Sequence, residues 1–164
     1  MAGLRRIIGH WTGGGHRATV LDKQHYHFII EGDGKLVTGD KTPEDNINVS
    51  DGRYAAHTRG CNTGSIGVAM AAMTGAVDDM PLHWGRFPMT AIQIEAFCRV
   101  VADLCEKYAI PVTRQTVLTH AEVFPTLGIR QSGKWDIRCL PGDTKLRPAV
   151  EVGDVLRRRI EALL

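Results

Sequence analysis

Among side chains able to hold a divalent metal, two of the seven histidines stand where such a site is commonly built. His10 closes the apolar run at residues 4–9 and precedes the glycine cluster Gly13, Gly14 and Gly15, while His120 closes a second apolar run at residues 116–119. A side chain at the end of a strand and the lip of a loop is held rigidly yet stays reachable, and two such ends can meet at one edge of a sheet. Catalytic zinc commonly takes three protein ligands and leaves the fourth position open. The stretch HAEVFPTLGIRQSGKWDIRC offers Asp136, Cys139 and Glu122 as third donors. Asp136 ranks first, because Glu122 lies so near His120 in the chain that both reach one ion only through a particular turn. His16, His25, His27 and His83 have no comparable placement.

The elements that carry these residues follow from periodicity and punctuation. Residues 4–9 read as a strand, 18–23 as a short helix, and 25–31 as a strand rich in Tyr, Phe and Ile that turns at Asp33-Gly34 into a second strand at 35–38. Residues 39–64 are polar and glycine-rich, a long surface loop, and 65–73 read as a buried strand. Thr90 and Gln93 form a capping box, and an apolar stripe from Ile94 to Tyr108 predicts a helix that Pro111 stops. A helical pattern recurs over 154–164, where Arg157, Arg158 and Arg159 read as a solvated face. Strands interleaved with a long helix predict one α/β domain over residues 1–164, with a central mixed sheet, packed helices and the metal site at one sheet edge.

Composition narrows the function. A formal charge of +2 and a pI near 8.4 are too mild for an electrostatic nucleic-acid binder. No apolar run reaches the length of a signal-peptide core or a membrane span, so synthesis in the cytoplasm without stable membrane association is expected, as is a monomer. Of the four cysteines, Cys98 and Cys105 fall on one helix roughly 10 Å apart, too far for a disulfide.

Four blocks give the chain a resemblance to a known family: IIGHWT, YHFIIEGDGKLV, AAHTRGCNTGSIGVAM and THAEVFPTLGIRQSGKWDI. In order and content they resemble the type 2 N-acetylmuramoyl-L-alanine amidases, which share a fold with the peptidoglycan recognition proteins. The resemblance implies a zinc enzyme of the bacteriophage endolysin kind that cuts the amide between N-acetylmuramic acid and L-alanine in peptidoglycan, reaching the wall once the inner membrane is breached. It implies His10, His120 and Asp136 as zinc ligands, Tyr26 and Lys134 as catalytic groups, and His57 and Asn62 as residues of the substrate groove. Recycling of free muropeptides, or recognition of fragments without cleavage, are the alternatives the family also contains.

An unactivated amide needs a strong nucleophile and stabilisation of the charge that grows on the carbonyl oxygen. Zinc supplies the first by making water acidic near neutral pH. Lys134 and the Tyr26 hydroxyl are placed by the resemblance to supply the second, and one such donor is typically worth roughly 3 kcal/mol. The chain also departs from the pattern. Some branches carry a glutamate soon after the SIG triplet, whereas Val68, Ala69 and Met70 follow here. Proton transfer is then left to Tyr26, Lys134 or the free oxygen of Asp136.

Overall fold

In a computed structural model, which describes residues 3–164, five strands form one sheet. They are β1 (Arg6–Trp11), β2 (Phe28–Ile30), β3 (Leu36–Thr38), β4 (Ser65–Met70) and β5 (Val117–Thr119), in the spatial order β3-β2-β4-β1-β5. β1 is parallel to both β4 and β5, β2 is parallel to β4, and the β2–β3 hairpin is antiparallel, so the sheet is mixed. The helices are α1 (Val20–His25), α2 (Ala91–Tyr108), α3 (Val123–Leu127) and α4 (Ala149–Glu161).

Alternation along β1 decides which face becomes the site. Ile7 and Trp11 enter the main core with Ile94, Phe97 and Val101 of α2 and Val152, Leu156 and Ile160 of α4. Ile8 points the other way, into a small cluster with Leu118 and Val123. His10 follows Ile8 by two residues, so it leaves the face that α2 does not cover. Because β1 and β5 are parallel neighbours, their C-terminal ends reach the same sheet edge, where β1 presents His10 and the chain after β5 presents His120.

The capping box at Thr90 forms and does more than start α2. Thr90 Oγ1 accepts from the Gln93 N–H, and Gln93 Oε1 accepts from the Thr90 N–H. The Gln93 amide nitrogen donates onward to the carbonyls of Ile30 and Ala71, which pins the helix start to the ends of β2 and β4. The helix closes at Ala109 in a left-handed conformation, two residues before Pro111.

Several elements differ from expectation. α1 begins at Val20 because Thr19 and Asp22 cap it reciprocally, and the helix then runs to His25. The strand expected from residue 25 therefore starts only at Phe28, and Tyr26 closes a helix instead of opening a strand. α4 starts earlier than the pattern suggested, and within it Arg157 is buried while Arg158 and Arg159 are exposed. The solvated face proposed for the arginine run is thus wrong at Arg157, whose guanidinium is ion-paired with Glu122. All four cysteines are free and buried.

Candidate metal centre

His10, His120 and Asp136 converge at the sheet edge, and all three are buried. His10 Nδ1 lies 3.1 Å from His120 Nδ1 and 3.3 Å from Asp136 Oδ2, and His120 Nδ1 lies 3.4 Å from the same oxygen. An ion bound tetrahedrally at about 2.0 to 2.1 Å sets its donor atoms about 3.3 Å apart, so this triangle fits such an ion without rearrangement. The donor set suits a divalent cation as well. Burial lowers the His10 pKa to about 4, so the ring is neutral near pH 7 and its lone pair is free. Asp136 offers a carboxylate oxygen as the third donor.

Local contacts deliver Asp136 to the histidines. The Ala121 N–H donates to the Asp136 carbonyl at 2.6 Å, which ties the turn carrying His120 to the loop carrying Asp136. Trp135 meets Trp11 edge-on, with ring centroids 4.6 Å apart, and so fastens the same loop to the end of β1.

The other two donors are committed elsewhere. Glu122 turns away from the metal triangle and pairs with Arg157, while its Oε2 accepts from the Thr119 N–H. Cys139 is fully buried in the main core, where burial pushes its thiol up to about 12.

The triangle lies at the floor of a groove of about 740 Å³ whose walls include Trp11, Tyr26, Arg59, Gln131, Lys134 and Trp135. That size suits a ligand larger than a single amino acid. The Tyr26 ring is 5.2 Å from that of His10, and burial, with the Asp136 charge behind it, raises the phenol pKa. Tyr26 is therefore a hydrogen-bond donor in the groove, not a base. Lys134 is exposed on the groove wall. His57 and Asn62 also line the groove, but their polar atoms serve the protein. His57 Nε2 donates to the Ser65 carbonyl, and Asn62 Oδ1 accepts from the N–H groups of His57 and Thr58. The His57 ring lies so close over Gly67 that a Cβ at residue 67 would collide with it, so this position needs glycine. Ala69, in the segment where some branches carry glutamate, sits beside His10 in the β1–β4 register.

Thr58 and Gln131 were not singled out in the sequence. Thr58 Oγ1 is 3.3 Å from His10 Nε2, and Gln131 Oε1 is 2.7 Å from His120 Nε2. Both lie in blocks already recognisable by motif, but nothing in their spacing marks a partner 48 or 11 residues away.

His27, outside the triangle, makes acid stability a test of this side of the sheet. Its Nδ1 accepts from the Gly67 N–H and its Nε2 donates to Asn46 Oδ1, an arrangement only the neutral ring can satisfy. Burial lowers its pKa from 6.5 to about 4. The unfolded chain thus takes up this proton near pH 6.5 and the folded chain only near pH 4, so acid favours unfolding. The contribution is fully present above about pH 7, and about 3 kcal/mol is lost as pH falls from 6.5 to 4. Burial of His10 acts with the same sign. Urea midpoints of the metal-free protein should fall across that window, and a flat profile would show His27 to be already charged in the fold.

A family profile described as N-acetylmuramoyl-L-alanine amidase matches residues 2–143. The chain therefore belongs to the N-acetylmuramoyl-L-alanine amidase family. The sequence has no significant match among curated relatives. Among solved structures, the fold is similar to the Escherichia coli amidase AmiD in complex with an anhydromuramyl peptide, at 17% identity and a TM-score of 0.51 over 72% of this chain and 48% of that one. The chain thus spans about half the length of AmiD. It is also similar to the amidase LysC of Clostridium intestinale, at 18% identity and a TM-score of 0.52 over 94% and 87% of the two chains. The Ph2119 endolysin of a Thermus scotoductus bacteriophage shares the fold at 14% identity and a TM-score of 0.50 over 74% of each chain.

Proposed function

We propose that the protein is a zinc-dependent N-acetylmuramoyl-L-alanine amidase of the endolysin kind, which hydrolyses the amide joining N-acetylmuramic acid to L-alanine in peptidoglycan. The observation that carries this reading is the triangle of His10 Nδ1, His120 Nδ1 and Asp136 Oδ2 at the floor of an open groove. Bound there, zinc supplies Lewis acidity, activating water at neutral pH and polarising the amide carbonyl. The chain's own residues do the rest. Tyr26, kept protonated by its surroundings, and Lys134 donate toward the carbonyl oxygen as negative charge grows on it. Trp11 and Trp135 wall the groove. With Ala69 at the flank of His10, no glutamate from β4 takes part in proton transfer. The likeness in fold to a phage endolysin is consistent with a setting in which the enzyme meets the wall after the inner membrane is breached.

Digestion of purified peptidoglycan tests the reading. Counting newly freed L-alanine amino groups should show release that a chelator abolishes and added zinc restores. Wall binding without release, unaffected by chelator, would instead make the protein a recognition module.

A further inference from the structure

The hydrogen bonds behind the two histidines leave little freedom in where their protons sit. His57 Nε2 faces the Ser65 carbonyl, which can only accept, so the buried His57 ring carries its proton there and its Nδ1 is an acceptor. The Thr58 hydroxyl, 2.8 Å away, donates to that Nδ1. His10 Nε2 then faces an acceptor on both sides, Thr58 Oγ1 at 3.3 Å and His57 Nδ1 at 3.2 Å, and must be the donor. On the other histidine, the Gln131 amide nitrogen donates to the Arg59 carbonyl at 2.7 Å, which turns Gln131 Oε1 toward His120 Nε2. That nitrogen also must carry the proton. Both Nδ1 atoms are thereby left as bare lone pairs facing Asp136 Oδ2.

Both supports arise from one loop. His57, Thr58 and the Arg59 carbonyl are consecutive, and Asn62 Oδ1 holds the loop's shape through the two N–H groups of residues 57 and 58.

We propose that the segment from His57 to Asn62, together with Gln131, is a positioning element that fixes both histidines as Nε2–H tautomers and so sets the affinity of the centre for a divalent cation. Asp136 pulls the other way, since a carboxylate beside two Nδ1 atoms favours protons on them, and a proton there must leave before a metal enters. The loop removes that competition in advance. Partners of this kind typically change metal affinity about 10- to 100-fold. Loss of the Thr58 hydroxyl or the Gln131 carbonyl therefore weakens metal binding although neither touches the ion.

The proposal rests on the metal-centre reading but not on any reaction, and it is tested with zinc ion alone, by competition against a chromophoric chelator at neutral pH. Gln131→Met and Thr58→Val should each raise the zinc dissociation constant 10- to 100-fold. Gln131→Glu, which keeps an acceptor for His120 Nε2 while giving up the Arg59 hydrogen bond, should bind zinc more tightly than Gln131→Met. Arg99→Ala, on the exposed side of α2, should leave binding unchanged. Nitrogen-15 imidazole spectra of the metal-free protein should show Nε2–H forms for His10 and His120, with Nδ1–H at His120 appearing in Gln131→Met. Gln131 is only half-buried, so its variants keep the fold even if Thr58→Val does not. Unchanged zinc affinity in Gln131→Met, or Nδ1–H forms in the parent, would overturn the proposal whether or not peptidoglycan is cleaved. Weakened zinc binding in a protein that cleaves nothing would uphold it and reject the amidase reading instead.

Discussion

His120→Ala should lose its zinc on dialysis and with it the release of L-alanine from peptidoglycan, while melting as a folded protein. If the three donors share an apparent binding energy of roughly 10 to 16 kcal/mol, loss of one removes about 3 to 5 kcal/mol. That corresponds to about 150- to 5,000-fold weaker binding. The fold should survive because little of it depends on the ring. β5 is held by its pairing with β1, the turn after it by Glu122, and the space left by the imidazole opens into the groove. Metal analysis after dialysis, paired with a thermal melt, gives the answer. Stoichiometric zinc retained by a folded His120→Ala would remove His120 from the centre.

The convergence of His10 and His120 is legible because their positions depend on local pattern. An apolar run that ends in a polar side chain and a glycine cluster marks a strand end, and parallel neighbours bring such ends to one edge. Asp136 was ranked first but not isolated from Glu122 and Cys139 by chain position. What separates them is long-range: Glu122 is taken by an arginine 35 residues away, and Cys139 turns into the core. The high strand propensity of Tyr-His-Phe-Ile-Ile places Tyr26 in a strand. The Thr19–Asp22 cap overrides that propensity by carrying helix as far as His25. Tyr26 nevertheless meets the groove, while His27 is buried against Asn46 and Gly67. Thr58 and Gln131 stayed hidden because a hydroxyl and an amide in polar loops carry no periodic signal, and their importance exists only relative to the histidines they face.

Arg157 was misread for a related reason, and replacing it should have the largest effect on stability. An amphipathic pattern assigns every cation to solvent and cannot see a carboxylate arriving from another element. Arg157 Nη2 donates to Glu122 Oε1 at 2.8 Å and to Asp154 Oδ1 at 2.8 Å, and Nη1 donates to Glu122 Oε2 at 3.2 Å and to the Val117 carbonyl at 2.8 Å. Gly153, one turn earlier on α4, leaves no room for a Cβ because the Glu122 carboxylate occupies that space. Arg157→Met keeps the aliphatic stem but strands Glu122 in the interior, which costs about 3 to 5 kcal/mol. Against a total stability of roughly 5 to 15 kcal/mol, that is a large share. Burial already raises the Glu122 pKa, with Arg157 and the Thr119 N–H opposing it, so removing the arginine raises it further. Protonation then relieves part of the penalty, and the difference from the parent should be smaller at pH 5 than at pH 7. Because Glu122 also holds the turn that presents His120, zinc affinity should fall along with stability. Urea unfolding of Arg157→Met beside the double variant Glu122→Leu/Arg157→Met separates the causes. The double variant has no stranded charge and should recover most of the loss, whereas a single-variant loss below about 1 kcal/mol would mean that water reaches this pair and that α4 does not brace the centre.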